Sequence, residues 1–379
     1  MQPDKKVMKI AYYMPFKSMD HANPSGDLVT GTELHNLLAD RGHEMTLASR
    51  LRCRWIYYRP LSLLRLFGER NRILRHYKPA KPDLWLSYHS YYKAPDLLGA
   101  MCSKRLGIPY VIFQGIYSTK RRKHLKTLPG FLLNRAVLQS TNHIFTNKLR
   151  DLTNLKRLLP ENRLSYIAPG IHPRLFEFSG DWRKELRQLW AIKDEETVIM
   201  TAAMMRPGVK TEGISTVIES CGELVQRGLP LQLIIAGDGT CRQQLERKAA
   251  ELLPNRVRFL GRIPRLELYR YYSAADIFAF PGVEESLGMV YLEAQSCNLP
   301  VVAYKDWGGG EAVVDGETGL LSFAAKPSLF TTHIQSLIED TTKRRELAQG
   351  AGDHIRRNHD LDHNYNRLEN KLIALTTWR

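Results

Sequence analysis

The chain has 379 residues, a length that suits two domains of ordinary size, each with its own core. Its apolar content of 43% and charged content of 25% exclude a disordered chain, and no apolar run approaches the ~18 residues of a membrane span, so any membrane contact must be peripheral. A net charge of +16 calls for an anionic partner: a membrane surface, a nucleic acid or a phosphorylated substrate.

In chain order, the charged start M-Q-P-D-K-K-V-M-K leads into a short apolar stretch that ends at Pro15. It reads as a first strand rather than a signal peptide. Short segments rich in β-branched or aromatic residues stand at 10–16, 45–49, 84–88, 110–113, 143–146 and 165–167, with helical patterns between most of them. The rhythm returns at 198–202, 231–236, 257–260, 277–280 and 301–304. This alternation is the βαβ signature of parallel sheets, and no residue-level repeat makes it a solenoid. Pro169, Pro173 and Gly180 punctuate a polar stretch between the halves. The expected organisation is an N-terminal domain over 1–172, a linker over 173–194, a C-terminal domain over 195–355 and a C-terminal helix over 356–379, free to pack back on the first domain. Ligands of open α/β sheets bind outside the carboxyl ends of the strands, so two such domains facing each other place a site in the cleft between them.

Several stretches carry chemistry. P-S-G-D-L, with Gly26, lies where the first strand hands over to a helix, and R-G-H-E-M restarts the second strand after it. Residues 50–78, from Arg50 to Lys78, alternate basic side chains with Trp55, Ile56, Tyr57, Leu63, Leu64, Leu66 and Phe67. A second basic stretch, Lys120 to Lys126, precedes Leu128, Phe131, Leu132 and Leu133. That mixture is what an interfacial helix on anionic lipid needs; two solvated helices with buried apolar faces are the plainer reading. M-M-R-P-G-V-K puts Arg206 and Lys210 four apart in a loop before a helix. I-I-A-G-D-G-T, with Gly237, runs from a strand into a glycine turn, but it lacks the full G-x-G-x-x-G of a dinucleotide loop. After the apolar run I-F-A-F-P-G comes E-E-S-L-G-M-V-Y-L-E, whose Leu287, Val290, Tyr291 and Ala294 recur at helical spacing. Glu285 and Glu293 thus bracket a strand-loop-helix junction, with Gly288 between them to let a ligand approach the backbone. Free N–H groups at a helix start suit a phosphate, and a carboxylate two turns along suits a pair of sugar hydroxyls. The stretch reads as a nucleotide-sugar site.

E-S-L-G-x4-E resembles the E-x7-E motif of the retaining glycosyltransferases of family 4, which have the GT-B architecture: two Rossmann-like parallel-sheet α/β domains facing a central cleft. The loop at Gly26 with R-G-H-E-M, the strand K-P-D-L-W-L-S-Y-H, the segment A-P-G-I-H-P-R-L-F, the V-R-F-L-G strand and G-G-G-E with D-G-E-T-G-L extend the resemblance over nearly the whole chain. It implies that a nucleotide-diphosphate sugar is bound mainly by the C-terminal domain, with Glu293 on the ribose hydroxyls, Arg206 and Lys210 on the diphosphate and Glu285 on a sugar hydroxyl. Gly26, Gly237, Arg262, Ile263, Leu287, Gly288 and Met289 line the donor site. The strand Y-V-I-F-Q-G departs from the pattern, since Gln114 stands where many relatives carry a histidine that touches the donor sugar. Gln cannot take a proton at neutral pH, so either Gln114 only positions the sugar, or Tyr88, His89 or Tyr117 has taken its place.

No metal and no cofactor are expected. The D-x-D of H-D-L-D-H lies in the C-terminal tail, where Asp360 reads as a helix cap. The basic N-terminal segments imply a lipid-linked acceptor at the inner face of the cytoplasmic membrane, as in cell-surface polysaccharide or lipopolysaccharide synthesis. Five scattered cysteines without C-x-x-C read as reduced thiols and agree with a cytoplasmic chain. The alternatives are a glycosyltransferase with a soluble acceptor, a nucleotide-sugar epimerase of the same architecture, and a non-enzymatic basic nucleic-acid-binding protein. The sequence carries no recognised module for the last.

Overall fold

A computed structural model describes residues 6–19, 26–285 and 287–377. The chain forms two compact units: residues 1–168 with 365–379, and residues 169–364.

The first unit runs β1 (Lys9–Tyr13), α1 (Gly26–Asp40), β2 (Glu44–Ser49), α2 (Pro60–Tyr77), β3 (Leu84–Ser90), α3 (Leu97–Leu106), β4 (Tyr110–Gly115), α4 (Leu128–Ser140), β5 (His143–Thr146), α5 (Leu149–Leu155) and β6 (Leu164–Tyr166). Its strands pair in parallel in the order β2-β1-β3-β4-β5-β6, so the direction of winding reverses between β1 and β3. Every residue of β3, β4 and β5 is buried. Strands covered by helices on both faces read as unbroken apolar runs, which is why these were visible in the sequence. Asp96 fixes the start of α3: its carboxylate accepts the Gly99 N–H at 2.8 Å and the Tyr110 hydroxyl at 2.7 Å, together with the Ser87 hydroxyl. Burial pushes this carboxyl above its usual range, and those three donors oppose the shift.

The second unit runs α6 (Gly180–Leu189), β7 (Thr197–Ala202), α7 (Val209–Gln226), β8 (Leu231–Ala236), α8 (Arg242–Leu252), β9 (Val257–Gly261), α9 (Leu268–Ala274), β10 (Ile277–Ala279), α10 (Met289–Ser296), β11 (Val301–Tyr304), α11 (Gly309–Ala312), β12 (Gly319–Ser322), α12 (Pro327–Glu339) and α13 (Thr341–Asn358). Its parallel order, β12-β11-β10-β7-β8-β9, is that of a Rossmann sheet and reverses between β7 and β10.

Three features differ from the expected organisation. The sixth strand of the second sheet, β12, hides in D-G-E-T-G-L-L-S, where glycines and turn residues mask a four-residue strand. The stretch 173–194, expected as a linker, contains α6. Ser179 caps it by accepting the Trp182 N–H, and Arg183 and Arg187 hold the Asp276 carboxylate at 2.6 and 3.0 Å. The C-terminal helix begins not at 356 but at Leu361, as α14 (Leu361–Thr377), because α13 continues to Asn358. Asp360 caps α14 by accepting the His363 N–H at 3.0 Å.

Beyond residue 364, α14 belongs to the first unit. Tyr365 stacks on Phe113 with ring centroids 6.4 Å apart. Glu369, 1% exposed, accepts from Arg41 Nη1 and from His43 Nε2, each at 2.8 Å. The Met8 N–H donates to His43 Nδ1, which leaves Nε2 as the protonated nitrogen facing Glu369. Removing the carboxylate would take its acceptor from the buried His43 Nε2–H and break one bond of Arg41, whose Nη1 also donates to Asn366 Oδ1 at 2.7 Å. Glu369→Ala is therefore expected to destabilise the first unit by about 3 kcal/mol. The check is a urea titration in which the first unit's transition moves to lower denaturant and the second unit's does not.

Candidate functional site

A cavity of about 1050 Å³ opens in the second unit at the carboxyl ends of β7 and β8 and beside β10, at the point where the strand order reverses. Its wall is built from four connections. Ala202 ends β7, Ala203 and Met204 follow it, and Lys210 stands in the first turn of α7. Ala236 ends β8 and the stretch to Thr240 follows it, and Arg262 and Ile263 follow β9. Phe280, Glu285 and the start of α10 from Gly288 to Val290 close the far side.

The loops are locked at the backbone. Gly237 has φ +138°, and a Cβ there would lie 1.9 Å from the Ala203 carbonyl oxygen. The connections after β7 and β8 can therefore touch only through a glycine. Met205 donates its N–H to the Asp238 carbonyl at 3.0 Å, and Gly237 donates to Gly261 at 2.8 Å. On the other wall, Gly288 has φ +74°, and a Cβ would meet the Tyr291 ring at 2.6 Å. The Tyr291 hydroxyl donates to the Phe280 carbonyl at 3.0 Å, which ties α10 to the end of β10. Glu285 is held by its own backbone: its N–H reaches the Gly282 carbonyl, and its carbonyl accepts from Gly308 at 2.9 Å. Its carboxylate then accepts from Lys210 Nζ at 2.8 Å, with both side chains about a quarter exposed. The wall thus holds a cation already matched by its own carboxylate.

Of the residues expected in the donor site, the cavity brings together Lys210, Gly237, Arg262, Ile263, Glu285, Gly288 and Met289. Three others of the second unit stand outside the lining. Arg206 is exposed, and its carbonyl accepts from the Thr211 hydroxyl at 2.7 Å. Leu287 is half-buried against the core. Glu293 is 2% exposed, and its carboxylate accepts from Arg265 Nε at 2.6 Å and from the Tyr272 hydroxyl at 3.4 Å. Burial pushes its carboxyl up, with Arg265 pulling the other way. Arg265 lies in G-R-I-P-R, and no spacing rule connects it to a glutamate 28 residues on. Asp238 and Thr240 also line the wall unannounced, although A-G-D-G-T marked the loop that carries them.

Gln114 and Gly26 belong to the first unit. Gln114, at the end of β4, is buried with φ +66°; its Oε1 accepts the Asn147 N–H at 3.2 Å, and its Nε2 donates to Asp151 at 3.2 Å. Burial pushes the Asp151 carboxyl up. His89, near the end of β3, has φ +68°. The sheet register passes from Tyr88 with Phe113 to Ser90 with Gly115, so His89 and Gln114 stand abreast, each a left-handed non-glycine residue. Such backbone costs about 1–3 kcal/mol per residue and gathers at functional sites. Gly26 is the first residue of α1, and Pro24 and Ser25 lie outside the described residues. Among the described residues, no three His, Cys, Asp or Glu side chains lie together as a metal site, and no helix is long and apolar enough to cross a membrane.

Residues 183–354 match the family Glycosyl transferases group 1, a span that contains the whole cavity wall. The GDP-mannose-dependent alpha-(1-6)-phosphatidylinositol monomannoside mannosyltransferase of Mycolicibacterium smegmatis is 33% identical over 204 residues, which are 52% of this chain. The match spans 52%, about half, of that relative's own length. Among solved structures, Alr3699/HepE of Anabaena in complex with UDP superposes with a TM-score of 0.72 at 20% identity, over 97% of this chain and 100% of that one. A glycosyltransferase from Rickettsia africae ESF-5 does so with a TM-score of 0.75 at 15% identity, over 98% and 100%. These likenesses show the fold, which is GT-B.

Gly288→Ala tests the local geometry. With both φ and space against a Cβ, it is expected to lower the stability of the second unit by about 1–3 kcal/mol. A Tm equal to that of the parent chain would mean that Gly288 is not required where it stands.

Proposed function

We propose that the chain is a retaining glycosyltransferase of the family 4 type that moves a glycosyl group from a nucleotide-diphosphate sugar to an acceptor. The observation that carries this reading is the cavity at the second unit's switch point, which joins Lys210, Glu285 and Gly288 within the span matched by the glycosyltransferase family. A structural relative was crystallised with UDP.

In this reading the diphosphate lies against Lys210, Arg206 and the N–H groups at the start of α10. Charge grows on its oxygens as the glycosidic bond breaks. A preorganised cation there contributes roughly 3–4 kcal/mol to the transition state, and the side-chain cations and N–H dipoles do this work without a metal. Lys210 leaves Glu285 for the phosphate, which frees the Glu285 carboxylate to accept from a sugar hydroxyl. Gly237, Arg262, Ile263, Leu287 and Met289 surround the nucleoside. Glu293 takes the ribose hydroxyls by exchanging Arg265, whose side chain is half exposed and able to swing out. Gln114 positions the sugar, and the leaving phosphate accepts the acceptor's proton, so no pair of catalytic carboxylates is required.

A thermal-shift screen with UDP, GDP, ADP and their sugars tests the donor site. One nucleotide is expected to stabilise the protein by about 2.7 kcal/mol at a hundredfold excess over its Kd. Lys210→Ala and Glu293→Ala should each weaken that nucleotide at least tenfold. Unchanged binding and turnover in both variants would remove these residues from the site.

The acceptor is lipid-linked in this reading, and the enzyme works at the inner face of the cytoplasmic membrane in building a cell-surface glycan. Support comes from the first unit, where α2 leaves Leu61 72% exposed together with Leu64 and Phe67, and Leu125 is 86% exposed beside the basic turn Thr119–Lys123. The relative from Mycolicibacterium smegmatis is named as a phosphatidylinositol monomannoside mannosyltransferase. Each Lys or Arg near an anionic surface adds about 1 kcal/mol. The protein is expected to sediment with vesicles containing phosphatidylglycerol and to leave them at high salt. A Leu61→Ser, Leu64→Ser variant should sediment several-fold less, and salt-insensitive or absent sedimentation of the parent chain would favour a soluble acceptor.

A further inference from the structure

The first unit has a switch point of its own, between β1 and β3, where an open α/β sheet takes its ligand. The side chains beyond these two strand ends form a connected wall. Phe16, after β1, lies 5.8 Å from the His89 ring and 5.4 Å from the Tyr91 ring. From His89 a row of rings continues through Tyr91 at 4.8 Å, Tyr92 at a further 5.6 Å and Trp55 at a further 5.9 Å. At its far end is a pocket of about 390 Å³ lined by Arg52, Arg54, Trp55 and Arg59.

This pocket is held open by backbone geometry. Cys53 donates its N–H to the Pro15 carbonyl at 2.8 Å, which fastens the loop after β2 to the end of β1. Trp55 has φ +55°, rare for a side chain of its size, and its N–H is fixed on the Lys93 carbonyl at 2.6 Å. The Arg54 guanidinium lies 5.9 Å from the centre of the Phe16 ring. Lys93 and Arg121 sit over Trp55 and Tyr92 at 5.9 and 4.7 Å.

Among the described residues, the charge of Arg52, Arg54 and Arg59 meets no carboxylate. Over residues 50–78, nine Lys and Arg stand against one carboxylate, Glu69, and Arg72 and Ser49 already hold that group. Guanidinium forks match the oxygens of a phosphate in geometry as well as charge. The ring faces suit an uncharged body.

We propose that Arg52, Arg54 and Arg59 are the phosphate subsite of the acceptor, and that the row Trp55, Tyr92, Tyr91 carries the rest of the acceptor toward His89 and Gln114. The acceptor is then a phosphate ester whose receiving hydroxyl is separated from the phosphate by the length of that row. Calling the ligand an acceptor rests on the transferase reading, whereas the pocket's affinity for phosphate does not.

The test uses the full chain and two sources of phosphate: soluble phenyl phosphate followed by calorimetry, and phosphatidylcholine vesicles carrying phosphatidic acid, compared with vesicles of equal charge carrying phosphatidylserine. The variant is Arg54→Gln with Arg59→Gln, both exposed, with its Tm and nucleotide binding measured alongside. A Lys104→Gln, Lys184→Gln variant, at two exposed lysines outside both basic stretches, serves as control for surface charge. The expected result is at least a tenfold loss of phosphate-ester binding in the arginine variant and none in the lysine control. Loss confined to phosphatidic acid vesicles supports the subsite and identifies a lipid headgroup; loss with soluble phenyl phosphate supports it for a free phosphate ester. Equal losses in the arginine and lysine variants, or no phosphate-ester binding by the parent chain, would overturn it. Phosphate binding that depends on the arginines in a chain that binds no nucleotide would keep the subsite and remove the transferase reading.

Discussion

A parallel sheet sends the carboxyl end of every strand to the same edge, and this constraint shapes both units. The connections that leave this edge must turn sharply into helices, and the turns bring unlike side chains together from distant parts of the chain. In the second unit this edge holds Lys210 from the connection after β7 against Glu285 from the connection after β10. In the first it sets His89 beside Gln114. The place in the second unit is built where the order of strands reverses and the helices diverge to opposite faces, leaving a crevice that packing does not fill; His89 and Gln114 stand one strand pair away from such a point, on β3 and β4.

The two edges manage charge in opposite ways. Lys210 is neutralised by Glu285 before any ligand arrives, so an anion entering that cavity must displace a carboxylate. Its net gain is the difference between two ion pairs, and a weakly basic anion has little to offer in the exchange. Arg54 and Arg59 have no such internal partner among the described residues. Their attraction for anions is longer in range, screened more strongly by salt and less selective. A chain carrying +16 therefore uses its charge in two different manners, one guarded and one open.

Much of this was legible in the sequence because buried parallel strands are written as apolar runs. Eleven strands were visible in that way, and only β12, with glycine at its start and turn residues before it, was not. The α6 helix was obscured because it begins at Gly180 after a proline-punctuated stretch, although Ser179 offered a cap. Within the cavity, the residues that were legible lie in local motifs: Gly288 with Glu285, Gly237 in its glycine turn, Arg262 and Ile263 after β9. Partnerships across elements were not. The Arg265–Glu293 pair and the Lys210–Glu285 pair join segments whose meeting is decided by the fold, and the row of rings from His89 to Trp55 passes from the end of β3 and the connection after it to the connection after β2. Left-handed backbone at His89, Gln114 and Trp55 leaves no trace in residue type, since none of the three is a glycine.

The return of α14 to the first unit has a consequence for how the molecule is made. The unit that is translated first lacks Tyr365 and Glu369 until the whole of the second unit has been translated. During that interval the Glu369 carboxylate that Arg41 and His43 share in the finished fold has yet to be made. The second unit's residues 169–364 are contiguous and need nothing from later in the chain to close their sheet. Vectorial synthesis therefore favours an order of maturation opposite to the order of translation, with the later unit settling first and the earlier one completed by a helix that leaves the ribosome after it.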